Sequence, residues 1–195
     1  MQFDISVVNQ LIQERRSIFP VHYSGEPVPR FIVEKMLENA NWAPTHRFTE
    51  PWRFKVFTGS GIAKLATFQA NMYKEQNSGN GDFEESKYEK LLKKPLLCSH
   101  IISIGMHRDE KKSIPEVEEI ASVAMAVQNM YLTATAYGVG CYWGTGGVTY
   151  MEEAKPFFDL EASDKLLGFL YLGMPAKAWP KSRRRPIREK VQWVD

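Results

Sequence analysis

The chain has 195 residues, 44% of them hydrophobic, which suffices for a sizeable core and excludes a disordered polypeptide. A formal charge of +2 is too small to argue for nucleic acid or a membrane surface, and no RNA-binding or zinc-finger pattern occurs. Two cysteines, Cys98 and Cys141, lie far apart in apolar stretches, and four histidines (His22, His46, His100 and His107) lack metal-ligand spacing. They point to buried thiols in a reducing compartment and to no metal site.

The opening MQFDISVVNQLIQERRS has no basic-then-apolar leader pattern, so no signal peptide is expected and the location reads as cytoplasmic. Within it, Ile5, Val8, Leu11 and Ile12 recur at helical spacing, with Asp4 as N-cap, and the helix ends near Arg15, Arg16 and Ser17. Residues 25–29, GEPVP, read as extended chain. Ile32, Val33, Met36, Leu37 and Ala40 mark a second amphipathic helix that starts at Arg30 and stops before Pro44. Residues 53–57 alternate polar and apolar as a strand does, and a helix follows over 60–76. The run NSGNGD, 77–82, is the clearest surface loop.

Residues 96–106 read as a buried strand interrupted by Ser99 and His100. A long helix over 116–137 carries Val117, Ile120, Ala124, Val127 and Tyr131. A short strand at 138–143, a helix at 150–158 with Pro156 near its end, and an apolar strand at 166–172 complete the pattern. The tail from Pro175, rich in Pro, Lys and Arg, reads as an arm. The least polar stretch, 120–143, is broken as a membrane span by Ser122, Gln128, Asn129, Gly138 and Gly140. No repeat or linker divides the chain, so 1–195 reads as one domain. Its helices outnumber its strands without alternating with them, which is an α+β pattern.

Four segments carry the chemistry. Arg15, Arg16 and Ser17 offer two forked cations and a hydroxyl to a phosphate, or form an ordinary basic helix end. Trp42, Pro44, Thr45 and His46, continuing to Glu50-Pro51-Trp52, make a proline-bracketed loop suited to the faces and edge of a planar ligand, or a structured turn. Residues 138–147, GVGCYWGTGG, do not form a dinucleotide fingerprint. Trp143 stands where the third glycine belongs, and the segment follows a helix instead of opening one. Trp143, Gly144, Thr145 and Gly146 instead suit backbone lying against a flat ligand, or a plain glycine-rich connection. Lys181, Arg183 and Arg184 in the tail are a solvated charge run or a second contribution to an anion.

In this order and spacing the segments resemble the nitroreductase family of flavoproteins, and its small YdjA-like branch in particular. Arg15-Arg16-Ser17 is similar to the family's R-R-S, and Ala43-Pro44-Thr45-His46 with Glu50-Pro51-Trp52 to its A-P-S/D-H and Q-P-W loop. Trp143-Gly144-Thr145-Gly146 resembles the glycine segment beside the flavin. Residues 168–175, GFLYLGMP, are similar to the closing strand, and the basic tail to the phosphate-binding arm. Three positions depart from the pattern: Phe19 in place of a basic residue, Phe48 in place of Asn, and Glu50 in place of Gln.

The resemblance implies a central, mainly antiparallel sheet flanked by helices, with a C-terminal arm that crosses to a partner. It implies a homodimer holding FMN at its interface, with helix 116–137 buried between subunits. NADH or NADPH would reduce the flavin, and a small electron acceptor, a nitroaromatic, quinone or similar, would reoxidise it in ping-pong order. No catalytic side chain is expected, because the flavin carries the chemistry. Two alternatives stay open: another flavin reaction on the same scaffold, reductive dehalogenation or flavin fragmentation, and a flavin-binding module without turnover.

Overall fold

Four strands, β1 (Trp52–Thr58), β2 (His100–Met106), β3 (Gly140–Gly144) and β4 (Lys165–Gly173), pair antiparallel throughout in the spatial order β1-β2-β4-β3. They belong to a computed structural model that describes residues 3–79 and 81–195. The helices are α1 (Ile5–Glu14), α2 (Arg30–Ala40), α3 (Ser60–Ser78), α4 (Glu85–Lys93) and α5 (Glu116–Ala136). The expected α+β fold with an antiparallel sheet is therefore present.

β2 is buried throughout and mostly apolar, because both of its faces are covered. Ile102, Ile104 and Met106 pack with Val33 and Met36 of α2 and Val127 and Met130 of α5. Ile101 looks the other way, onto Leu65 of α3 and onto Phe158 and Phe169. Each such fully buried aliphatic side chain contributes about 1.5–3 kcal/mol. The first turn of α5 is pinned by Glu119, which is fully buried. Its carboxylate accepts from the Arg108 guanidinium and, at 2.9 Å, from the Asp109 N–H.

One irregularity sets the geometry of the sheet beside the site. The β2–β4 register slips between Ile104, opposite Gly168, and Gly105, opposite Leu166, so Leu167 bulges out. The Leu167 carbonyl accepts the Trp143 indole N–H at 2.9 Å. Gly168 has φ +117°, and a Cβ there would lie 2.4 Å from the Gly144 carbonyl oxygen. Only glycine fits that conformation and that gap.

Several boundaries differ from the sequence reading, for identifiable reasons. The expected strand at 96–106 begins only at His100, because Pro95 starts a 3-10 turn over Lys94–Leu97 that leaves Leu96 and Leu97 exposed. The expected helix at 150–158 is two 3-10 turns, Gly147–Tyr150 and Glu152–Phe158, the second containing Pro156, which has no N–H to continue an α-helix. The expected loop at 77–82 starts later, since α3 runs to Ser78; Asn80 lies outside the described residues. Helix α4 was not expected at all. Its residues are exposed or half-buried, and its apolar stripe is short, Tyr88, Leu91 and Leu92 alone. Among the described residues, no helix is long and apolar enough to cross a membrane.

Candidate functional site

The chain leaves α1 at Arg15, in extended conformation, and runs along the free edge of β3. Ser17 bridges to Cys141 in parallel, and the Ile18 N–H donates to the Cys141 carbonyl at 2.8 Å. This places the two arginines at the sheet edge. The Arg15 guanidinium sits 5.2 Å from the centre of the Tyr131 ring. Arg16 turns back on the chain. Its Nε donates to the Pro180 carbonyl at 3.0 Å, and its Nη1 donates to the Arg15 carbonyl at 2.8 Å and to that of Gln13. Arg16 thus ties the C-terminal tail to the end of α1.

That tie closes a cleft of about 480 Å³ between the end of α1 and the tail, lined by Arg15, Arg16, Ser182, Arg183 and Arg184 among others. Among the described residues, none of these four arginines has a carboxylate within 4.0 Å. Four forked cations around one cleft, with only backbone and hydroxyl partners among the described residues, could take an anion such as a phosphate. Lys181 stands outside the lining of this cleft.

The glycine segment lies on the other side of the same strand end. The Trp143 N–H donates to the Tyr131 hydroxyl at 2.7 Å. Tyr131 therefore touches the arginine cleft with its ring and the glycine segment with its oxygen. Beyond Trp143, the residues Gly144, Thr145 and Gly146 form one wall of a second cleft of about 370 Å³. Tyr142 and Tyr171 of the sheet, Gln69 and Tyr73 of α3, and Lys87, Lys90 and Lys94 on and just beyond α4 enclose the rest. Phe19, one of the departures from the family pattern, packs on Tyr142 with ring centres 4.4 Å apart.

The proline-bracketed loop stands apart from both clefts. Trp52 is buried and its indole donates to Asn41 Oδ1 at 3.0 Å, whereas Trp42 is 85% exposed. Trp42 lines a shallow hollow with Asn39, Thr133 and Tyr137 instead. Thr45 Oγ1 accepts the Glu50 N–H at 3.1 Å, and His46 Nδ1 lies 2.6 Å from Glu118 Oε2. Pro44 is exposed. Arg47, Phe48 and Glu50 all have positive φ, at +53°, +55° and +42°. Such backbone costs of order 1–3 kcal/mol per residue and concentrates at functional loops.

Within one chain, then, Arg15, Arg16, Arg183 and Arg184 converge, with Ser17 on the adjoining sheet edge. Gly144, Thr145 and Gly146 form a wall nearby, and Trp143 anchors that wall. Trp42, Pro44, Thr45 and His46 join neither cleft. Sequence reasoning named Tyr131 only as a core residue and missed Tyr142, Tyr171 and the lysines of α4. Both cysteines are buried, and burial pushes the Cys98 thiol up to about 12 and raises that of Cys141 further, so neither is a nucleophile near neutral pH.

An antiparallel α+β fold with an arginine cleft next to a glycine wall is compatible with a class of proteins that hold an anionic, planar ligand. The sequence comparisons make that class specific. The profile of the family described as "Nitroreductase family" matches residues 12–174. A Bacillus subtilis relative named "Putative NAD(P)H nitroreductase YfhC" is 30% identical over 95% of this chain and 93% of its own. The crystal structure of a nitroreductase-like family protein from Bacillus cereus superposes with a TM-score of 0.81 at 28% identity, covering 100% of this chain and 98% of that one. A Desulfovibrio desulfuricans nitroreductase homologue, crystallised in complex with FMN, gives a TM-score of 0.69 at 26% identity over 96% of each chain. The chain belongs to the nitroreductase family, which makes it an oxidoreductase.

Proposed function

We propose that this protein is an FMN-dependent oxidoreductase that takes electrons from NADH or NADPH and passes them to a small acceptor, working as a homodimer. The observation that carries the reading is the arginine cleft: four guanidinium groups that have no carboxylate within 4.0 Å among the described residues, joined through Tyr131 to the glycine wall. The FMN complex of the Desulfovibrio protein and the name of the Bacillus relative support the choice of cofactor and reductant.

Arg15, Arg16, Arg183 and Arg184 would hold the FMN phosphate, with Ser17 beside them. Arg16 also keeps the tail arginines in place through the Pro180 carbonyl. The backbone at Gly144, Thr145 and Gly146 would lie against the ring, where its N–H groups reach polar edge atoms. When bound, FMN supplies hydride acceptance from the nicotinamide and electron delivery to the acceptor. The tyrosine-walled cleft beside the glycines would shelter reductant and acceptor in turn, which is a ping-pong order. The two buried thiols fit a reducing, cytoplasmic setting.

Surfaces that one chain leaves exposed support the dimer. α1 buries no residue at all, and it exposes Ile5, Val7, Val8 and Ile12. The tail exposes Ile187, Val191, Trp193 and Val194, and α5 exposes Val117 and Met125. A second copy seated on these residues would bury them and would supply the loop carrying Trp42, Pro44, Thr45 and His46 to a flavin held by the first.

Purified protein should be yellow, release FMN on heating, and bleach with NADH or NADPH under anaerobic conditions. Sedimentation should give twice the 22.4 kDa chain mass. FAD in place of FMN, or no binding at micromolar FMN, overturns the cofactor assignment; a flavin-loaded monomer overturns the dimer.

A further inference from the structure

His46 belongs to the loop that the fold leaves outside both clefts, and a side chain of another element holds it. Its Nδ1 lies 2.6 Å from Glu118 Oε2, across 72 residues of sequence. Glu118 stands in the first turn of α5, where the helix dipole favours an ionised carboxylate. An ionised carboxylate only accepts hydrogen bonds, so the ring carries a proton on Nδ1. Among the described residues this is the one hydrogen bond of the ring. In the neutral imidazole, Nε2 is then an acceptor without a protein donor.

The helix side of this pair is fixed and the loop side is strained. Glu119, the next residue, is fully buried against Arg108 and the Asp109 N–H, which immobilises the turn that carries Glu118. In the loop, the positive φ at Arg47, Phe48 and Glu50 persists only where the surroundings over-determine it. Thr45 Oγ1 bonds within the loop, to the Glu50 N–H and to Thr49 Oγ1. Towards α5 the loop is tied by Arg47 Nη1, which donates to the Ser113 carbonyl at 3.3 Å, and by His46 to Glu118. The second tie is the short, charge-assisted one. Its side chains are 52% and 44% exposed, and an ion pair that exposed contributes little to folding. What it fixes is the tautomer and the direction of one ring.

We propose that Glu118 is a positioning residue for the cofactor: it holds His46 as the Nδ1–H tautomer, so that the loop offers Nε2 as an acceptor to the imide N–H of the flavin. In the oxidised flavin ring that imide is the one N–H donor. This rests on the flavin and dimer reading above, in which a second copy supplies the loop.

FMN and its N3-methylated analogue, which lacks that N–H, are titrated by fluorescence into the apo forms of wild type, His46→Ala, Glu118→Ala and Glu118→Gln. Wild type should prefer FMN about tenfold, the scale of one hydrogen bond. His46→Ala and Glu118→Ala should bring that preference within about threefold. Glu118→Gln should keep most of it, because its amide oxygen still accepts from Nδ1. Melting of the apo-protein should move by less than about 3 °C in each variant, which separates positioning from folding. At about pH 8.5, above the ordinary imidazole range, NMR of the histidine nitrogens should show His46 of apo wild type as Nδ1–H, and Glu118→Ala should lose that single tautomer. A preference in Glu118→Ala equal to that of wild type overturns the proposal alone, as does a tautomer that ignores Glu118. A loss in Glu118→Gln as complete as in Glu118→Ala reduces the role to charge and overturns it too. Wild type that takes up neither flavin overturns the flavin reading, and the proposal with it.

Discussion

The molecule has two basic clefts, and they are built in opposite ways. At the end of α1 the cations are arginines, half-buried and held in place: Arg16 by three backbone carbonyls, Arg15 over the buried Tyr131 ring. Beside α4 the cations are lysines on a helix with no buried residue. A planar fork whose orientation is already fixed loses little entropy on binding, and it suits a group that stays. An ammonium on a flexible stem is a point charge that adapts, and it suits ligands that come and go. On the proposed reading, the arginine cleft would hold the resident phosphate.

The largest expected effect breaks the fixed side of this contrast. Arg16→Ala should weaken FMN binding to the apo-protein about tenfold to a hundredfold, since a charge-assisted hydrogen bond contributes about 1.5–3 kcal/mol. Arg16→Lys should recover only part, because the charge returns without the fork. Fluorescence titration of wild type and both variants measures this, and equal affinities would erase the distinction between the clefts. A smaller loss, about tenfold, is expected for Arg183→Ala with Arg184→Ala, since their tail is more exposed. Lys181→Ala, outside the lining, should change FMN affinity by less than about twofold in the same titration. Replacing Lys87, Lys90 and Lys94 together by Gln should leave FMN affinity within about threefold, less than 1 kcal/mol. A larger drop would make the lysines part of the cofactor site.

The sequence showed the arginine cleft more clearly than the lysine cleft, for a physical reason. Adjacent Arg15, Arg16 and Ser17 form a compact local motif, as do the glycines at 144 and 146. Helix α5 and strand β4 were legible because their apolar residues follow the helical period or run unbroken. Helix α4 has only Tyr88, Leu91 and Leu92 as apolar residues in ESKYEKLLK, so neither the helix nor its inward lysines stood out. What joins the motifs was hidden too. The Ser17–Cys141 bridge and the Tyr131 hydroxyl bond are long-range contacts that no local pattern encodes. The loop at 43–52 was recognised by its prolines and tryptophans, but its positive-φ turn at Arg47, Phe48 and Glu50 was not, since none of these is glycine. The family resemblance implied α5, an apolar helix, as the surface between subunits. Much of α5 is core, with Val117 and Met125 exposed, and α1 has no buried residue.

Gly168 sits far along the chain from either basic motif, yet it limits how the glycine wall can change. With φ +117° and the Gly144 carbonyl 2.4 Å from where a Cβ would stand, any side chain pries β4 from β3 at the point where the wall begins. The same Cβ would meet the Trp143 indole nitrogen at 2.9 Å, the atom that grips the Leu167 bulge. In a selection that varies every position for new acceptors, the lysine face of α4 is open to change, while position 168 should return glycine alone. The helix side of the cleft can therefore vary in sequence while the glycine side stays frozen by a residue with no side chain.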